Sequence, residues 1–167
     1  MLDDLEKLTY ATYLCELIDI SLIEEETNRE LFKSFVSALY FMDSKGLDDE
    51  LIAMVFELKM LKLTGYGIEL NNCVFCREPL KECNYINLPY LGGVCDGCNK
   101  INGIPVSKGT FSTLRFLNNT TFEKVCRLNP NKNTRMELRK IITLIIENNY
   151  ARKPKSLEML NIFEEDV

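Results

Sequence analysis

The chain has 167 residues, 46% of them hydrophobic, with seven cysteines, no histidine and a net charge of −5, which suits one globular domain with or without a small appendage and excludes catalysis that relies on imidazole. No run approaches the eighteen or more apolar residues of a membrane span, so a soluble chain is expected. The overall acidity hides an asymmetry: residues 1 to 30 carry nine acidic and two basic side chains, whereas residues 108 to 155 carry eleven basic and three acidic ones, so net charge alone does not exclude a polyanionic partner.

In chain order, Leu5, Leu8, Leu14, Leu17 and Ile18 recur at three-and-four spacing behind Asp3 and Asp4, which predicts an amphipathic first helix. The acidic run Glu24 to Glu26 reads as a solvated connection. Thr27 with Glu30 has the capping-box pattern, and Leu31, Phe32, Phe35, Val36 and Leu39 predict a second helix that stops at Gly46. Asp48 or Asp49 caps a third, carrying Leu51, Ile52, Val55, Phe56 and Leu61 to the breaker Gly65-Tyr66-Gly67. Residues 68 to 105 are rich in Asn, Gly and Pro, with short apolar fragments such as Tyr85-Ile86-Asn87-Leu88, which suits small hairpins. Helices resume near Ser107 with Phe111, Leu114 and Leu117. Thr120 with Glu123 and Thr134 with Glu137 repeat the capping-box pattern, and the longest late helix is expected from about Arg135 to Asn149, burying Leu138, Ile141, Ile142 and Ile145. Pro154 interrupts the pattern before a short last helix through Leu157 and Leu160. The expected fold is therefore mainly α: a helical bundle made of residues 1–67 and 106–167, with a small insertion at 68–105.

That insertion carries the sharpest chemical signal. Cys73 and Cys76 form one Cys-x-x-Cys pair, Cys95 and Cys98 a second, and two such turns bring four thiolates to one tetrahedral zinc ion without histidine. Disulfide and redox readings compete with it. The first is disfavoured by the lack of an opening signal segment, which points to a reducing, cytoplasmic compartment, and the second by the two copies of the motif and no visible βαβ pattern. Four protein ligands leave no position for an activated water, so the zinc is expected to be structural. Cys83 lies within the loop as an alternative ligand or a bystander; Cys15 and Cys126 read as bystanders.

The basic half supplies a second candidate site. Arg135 and Arg139 are four apart and can share a helix face, Lys140 follows, and Arg152, Lys153 and Lys155 can extend the patch past the helix end. Such a cluster binds phosphates or an acidic partner by counterion release, although solvated helix faces produce the same pattern.

Several blocks resemble the bacterial recombination mediator RecO family. They are Phe56-Glu57-Leu58-Lys59-Met60-Leu61-Lys62-Leu63-Thr64-Gly65-Tyr66-Gly67 followed by Leu70 and Cys73-Val74-Phe75-Cys76; Gly92-Gly93-Val94-Cys95-Asp96-Gly97-Cys98 followed by Val106-Ser107; and Tyr13-Leu14-Cys15-Glu16-Leu17. The resemblance spans nearly the whole chain but only part of the family, whose members carry an N-terminal oligonucleotide-binding barrel, so the chain resembles the C-terminal part. It implies a non-enzymatic role in DNA repair and homologous recombination: binding of single- and double-stranded DNA, strand annealing, partnership with RecR, capture of the acidic, phenylalanine-ended tail of single-strand-binding protein, and a cytoplasmic, nucleoid-associated location.

Two other classes stand beside this reading. A carboxylate-based hydrolase using Asp48 and Asp49 has little support, because adjacent acids at a helix start are usually caps and no Walker loop or dinucleotide fingerprint is present. A zinc-stabilised protein-interaction scaffold without direct DNA contact is the alternative.

Overall fold

A computed structural model describes residues 5–22, 28–44, 46–157 and 159–160. The chain runs α1 (Leu5–Ser21), α2 (Arg29–Asp43), α3 (Asp49–Leu63), β1 (Tyr85–Asn87), β2 (Gly92–Gly93), β3 (Gly103–Pro105), α4 (Lys108–Asn118), α5 (Phe122–Val125) and α6 (Lys132–Asn149). The mainly α architecture with a small sheet thus matches the sequence reading, and the proposed caps Asp3, Asp4 and Thr27 fall outside the described residues.

Side-chain caps set most helix starts. The Asn28 carboxamide accepts from the Leu31 N–H at 3.0 Å, Asp48 from Leu51 at 3.0 Å, Ser107 from Thr110 at 3.1 Å and Asn131 from Thr134 at 2.9 Å, each satisfying an N–H that the helix itself leaves unpaired. Asn131 explains why α6 begins three residues before the expected Arg135. Thr134 then lies inside the helix, and the Glu137 carboxylate accepts from the Ser107 N–H at 2.9 Å, tying α6 to the start of α4 instead of closing a capping box. In α5 the capping position is Thr121, with no side-chain cap bond.

α3 is the axis of the bundle. Its residues from Leu51 to Leu58, together with Met60 and Leu61, are buried on every side, as expected of a helix that is apolar all round; it packs against α1, α2, α4, α5 and α6. α3 and α6 run parallel: Arg135 near the start of α6 meets Asp48 and Glu50, and the Tyr150 hydroxyl beyond its end lies 2.5 Å from the Thr64 hydroxyl beyond the end of α3.

The outer helices bury a face rotated from the one expected. α1 buries Leu14 and Leu17 but leaves Leu5 and Leu8 exposed, and α2 buries Leu31, Ala38 and Met42 while Phe32, Val36 and Tyr40 stand in solvent. Both helices have more apolar residues than one face accommodates, so period alone does not choose the inward set.

Between α3 and α4 lies an antiparallel sheet of order β2-β1-β3, with Ile86 opposite Gly93 on one side and Ile104 on the other. Two glycines permit its close approaches: a Cβ on Gly103 would stand 2.0 Å from the Ile86 carbonyl oxygen, and one on Gly92 2.4 Å from that of Glu69. Leu80, Cys83, Ile86 and Val94 join the same hydrophobic cluster as α3, α4 and α6, so the core continues from the bundle into the cysteine segment.

Candidate metal centre and basic surfaces

Two turns deliver the four cysteines. In the first, the Cys73 N–H donates to the Glu78 carbonyl at 2.8 Å and the Arg77 N–H returns to the Cys73 carbonyl at 3.0 Å, with Arg77 at φ 65°. The second leaves β2 directly into Cys95, and the Cys98 N–H donates to the Cys95 carbonyl at 3.3 Å. Val74 N–H to Gly93 carbonyl, at 3.1 Å, joins the two turns. The sulfurs of Cys73, Cys76, Cys95 and Cys98 all lie within 4.8 Å of one another, Cys76 and Cys95 at 3.6 Å, and all seven cysteines of the chain are free. Tetrahedral thiolates around an ion with bonds of about 2.3 Å stand about 3.8 Å apart, so these four residues can hold a metal ion.

The electrostatics suit a cation. Burial opposes ionisation of Cys73, yet N–H groups of Cys95, Cys76 and Phe75 bring its thiol down to about 6, while hydrogen bonding to the Cys95 and Cys76 sulfurs, burial and the Cys73 charge push Cys98 up to about 12. Four thiols this close do not all ionise without a compensating positive charge. Cys83 belongs elsewhere: it is buried, its Sγ lies 3.0 Å from the Tyr85 carbonyl and 3.3 Å from that of Val94, and burial pushes its thiol up.

The six basic residues do not form one surface. Arg139 is 6% exposed, and its Nη1 donates to Glu57 Oε1 at 2.7 Å inside the bundle; Glu57 is wholly buried and also accepts from the Tyr13 hydroxyl. Arg135 donates to Glu50 at 2.7 Å and Asp48 at 2.6 Å. The two arginines do share a face of α6, but that face is turned to α3. Lys140, Arg152, Lys153 and Lys155 are exposed. Arg152 lies 3.5 Å from Asp19, Lys153 2.8 Å from Glu147, and Lys155 adjoins Ser156, whose N–H and hydroxyl donate to Glu16 at 2.9 and 2.8 Å. The acidic first helix therefore faces the basic connection directly.

A second basic feature is absent from the sequence reading. A groove of about 440 Å³ lies between α2, α3 and α5, lined by Lys33, Lys59 and Lys62, by Glu30 and Glu123, and by Leu63 and Phe122 among others. The Lys59 ammonium sits 5.7 Å above the centre of the Phe122 ring. Lys59 and Lys62, three apart near the end of an otherwise apolar helix, are the sequence signal that locates one wall of it.

The family model described as "Recombination protein O C terminal" matches residues 2–158. The chain is 53% identical over 164 residues to the DNA repair protein RecO of Clostridium perfringens (strain SM101 / Type A), covering 98% of this chain and 73% of that protein. It is 44% identical over 165 residues to the RecO of Clostridium acetobutylicum, covering 99% and 67%, and 33% identical over 161 residues to that of Dehalococcoides mccartyi (strain ATCC BAA-2100 / JCM 16839 / KCTC 5957 / BAV1), covering 95% and 63%. Among the described residues no helix is long and apolar enough to cross a membrane. With the helical bundle, the four-cysteine group and these matches together, the chain belongs to the RecO family of DNA repair and recombination proteins.

Proposed function

We propose that this chain is the zinc-held, non-catalytic binding part of a recombination mediator acting in the bacterial cytoplasm at the nucleoid, contributing to DNA binding and strand annealing and meeting two protein partners, RecR and the acidic tail of single-strand-binding protein. The observation that carries the reading is the groove between α2, α3 and α5. Its lining is mostly polar, with Lys33 paired to Glu30, and the two lysines of α3, Lys59 and Lys62, beside the apolar Leu63 and Phe122 suit a short peptide that offers carboxylates and one apolar side chain. Zinc is the metal that four thiolates in two Cys-x-x-Cys turns select. With Cys73, Cys76, Cys95 and Cys98 filling the tetrahedron, its role is to hold the sheet and the 72–79 turn against α4, and it performs no reaction.

For DNA, the exposed Lys140, Arg152, Lys153 and Lys155 are the proposed phosphate contacts, acting without sequence preference. Arg135 and Arg139 are set aside because their guanidinium groups are committed to Asp48, Glu50 and Glu57. That commitment favours a second reading, a zinc-stabilised partner platform with no direct DNA contact. Fluorescence anisotropy of a labelled single-stranded oligonucleotide, and separately of a labelled acidic peptide ending in Phe, measured across several salt concentrations, decides between them. Saturable binding of both, weakening with salt, is the expected result. Peptide binding without oligonucleotide binding at low salt selects the platform, and loss of neither on charge reversal of Lys59 and Lys62 removes the groove.

A further inference from the structure

The outward face of α2 is built for a partner. Its inner face, with Leu31, Ala38 and Met42, is buried in the bundle, whereas Phe32, Val36 and Tyr40 are 63%, 48% and 69% exposed. At about 100° of rotation per residue, Arg29, Phe32, Val36, Tyr40 and Asp43 fall within about 80° of one another around the helix, and Arg29 and Asp43 are exposed as well. They form one straight stripe about 21 Å long, basic at its start, apolar through its middle and acidic at its end.

The order of residues in the stripe is symmetric about Val36. Phe32 and Tyr40 lie four positions to either side of it, and Arg29 and Asp43 seven positions to either side. Two copies of α2 laid antiparallel about a two-fold axis at Val36 therefore set Val36 against Val36, each Phe32 ring against the other copy's Tyr40 ring, and each Arg29 guanidinium against the other copy's Asp43 carboxylate. A parallel pair instead puts Arg29 beside Arg29 and Asp43 beside Asp43. A polyanion or acidic peptide lying along the stripe meets Asp43 at one end, so the charge pattern fits a second copy of the chain best. The Tyr40 ring is already braced: it stands edge-on to Phe41 at 5.4 Å, and Phe41 stacks on Phe122 at 5.9 Å.

We propose that this chain self-associates through α2 as an antiparallel two-fold pair centred on Val36. With roughly 150–250 Å² for a whole aromatic side chain, the three exposed apolar residues offer about 350 Å² per copy. Arg29, Lys33 and Asp43 at the margins bring the pair to about 1,000 Å², in the class of transient contacts below about 1,200 Å². The dimer therefore forms at high concentration and is not obligate. Glu30, Ser34 and Ser37, through which α2 lines the groove shared with α3 and α5, lie at least about 100° round the helix from Val36. Pairing leaves that groove open, and one dimer presents two.

The test is sedimentation equilibrium of the full chain under reducing conditions, from on the order of 1 µM to on the order of 100 µM, the range in which interfaces of this size associate. The average mass is expected to climb from that of a monomer toward twice that value. Val36→Glu, which sets a carboxylate against its own copy on the axis, is expected to hold the chain monomeric throughout, with unchanged helical circular dichroism. Arg29→Glu and Asp43→Arg, each counted twice by symmetry, are expected to weaken association at least about fivefold, and Arg29→Glu/Asp43→Arg to restore it to within about threefold of the original. Within one chain the two positions are about 21 Å apart, so such a rescue requires contact between copies. A chain that stays monomeric at the highest concentration overturns the proposal. So does a dimer indifferent to Val36→Glu, or a charge-swapped chain no better than the single reversals.

Discussion

Replacing Arg139 with Met leaves the Glu57 carboxylate in the centre of the bundle without its guanidinium partner. Glu57 is 0% exposed, Arg139 is 6% exposed and the two meet at 2.7 Å, so the loss belongs in the range for breaking a buried ion pair, about 3–5 kcal/mol. At a urea dependence of roughly 2 kcal/mol per molar, that is a fall of about 2 M in the unfolding midpoint, readable by far-ultraviolet circular dichroism. A triple variant, Tyr13→Phe/Glu57→Leu/Arg139→Met, replaces the ion pair and the hydroxyl that donates to it with apolar groups of similar size, and it is expected to regain all but about 1 kcal/mol. pH supplies an independent check. Burial raises the Glu57 carboxyl above its usual 4.5 even with Arg139 present, and without that partner it rises further. An acid whose folded value is raised gains stability from protonation, fully present below the unfolded value and lost as pH climbs through the folded one. The Arg139→Met deficit should therefore shrink toward pH 4.5 and be largest at pH 8. A single variant that loses less than about 1 kcal/mol, or a triple variant no better than the single, would refute the argument that this pair is a committed internal contact.

Other consequences are as direct. Cys76→Ser should abolish stoichiometric zinc in the purified chain, measured by inductively coupled plasma mass spectrometry, and expose amides of residues 70–105 to hydrogen exchange; retained zinc would remove the assignment. Asn131→Ala deletes the cap of α6 and should lower stability by about 1 kcal/mol in the same urea assay. Burial works against the Glu16 carboxylate, but the Ser156 N–H and hydroxyl and the Lys155 N–H hold its carboxyl below the usual 4.5. Because a lowered acid stabilises above its unfolded value and loses that contribution as pH falls through the folded one, the attachment of Ser156 to α1 should weaken below pH 4.5, with faster exchange at the Ser156 amide, and Glu16→Gln should show the faster exchange already at pH 7. Neutralising Arg152, Lys153 and Lys155 together should weaken oligonucleotide binding and flatten its salt dependence, since the surface pairs of Arg152 with Asp19 and of Lys153 with Glu147 offer little competition; an unchanged slope would exclude this connection as the DNA contact.

Much of the fold was legible because its signals are local. Asp48, one of the two acids expected to cap α3, does so, α4 starts beside Ser107 where helices were expected to resume, and Gly46 and Gly65, both at positive φ, follow the helices they were expected to end. The Cys-x-x-Cys spacing specified a tight turn, and two such turns need only face one another to assemble a site. What escaped was the facing of elements. Leu5, Leu8, Phe32 and Val36 satisfy a helical period yet lie outside, because α3 is apolar all round and its neighbours need to present only part of their apolar surface to cover it.

The basic cluster failed as a cluster for a related reason. Spacing of four correctly places Arg135 and Arg139 on one face but is silent on whether that face meets water or a neighbouring helix. The deciding residue is Glu57, eighty-two positions away from Arg139: a carboxylate in the middle of a wholly buried helix must be neutralised, and an arginine on the partner helix is the group suited to do it. Once an ionisable residue interrupts a helix as apolar as α3, a counter-charge elsewhere in the chain is owed to the core before any is assigned to a ligand. The same reasoning, applied to α3 beyond Glu57, shows why Lys59 and Lys62 are different. They lie in the last two turns, where α3 leaves the core at Leu63 and Thr64, and there a charge reaches the groove without being buried.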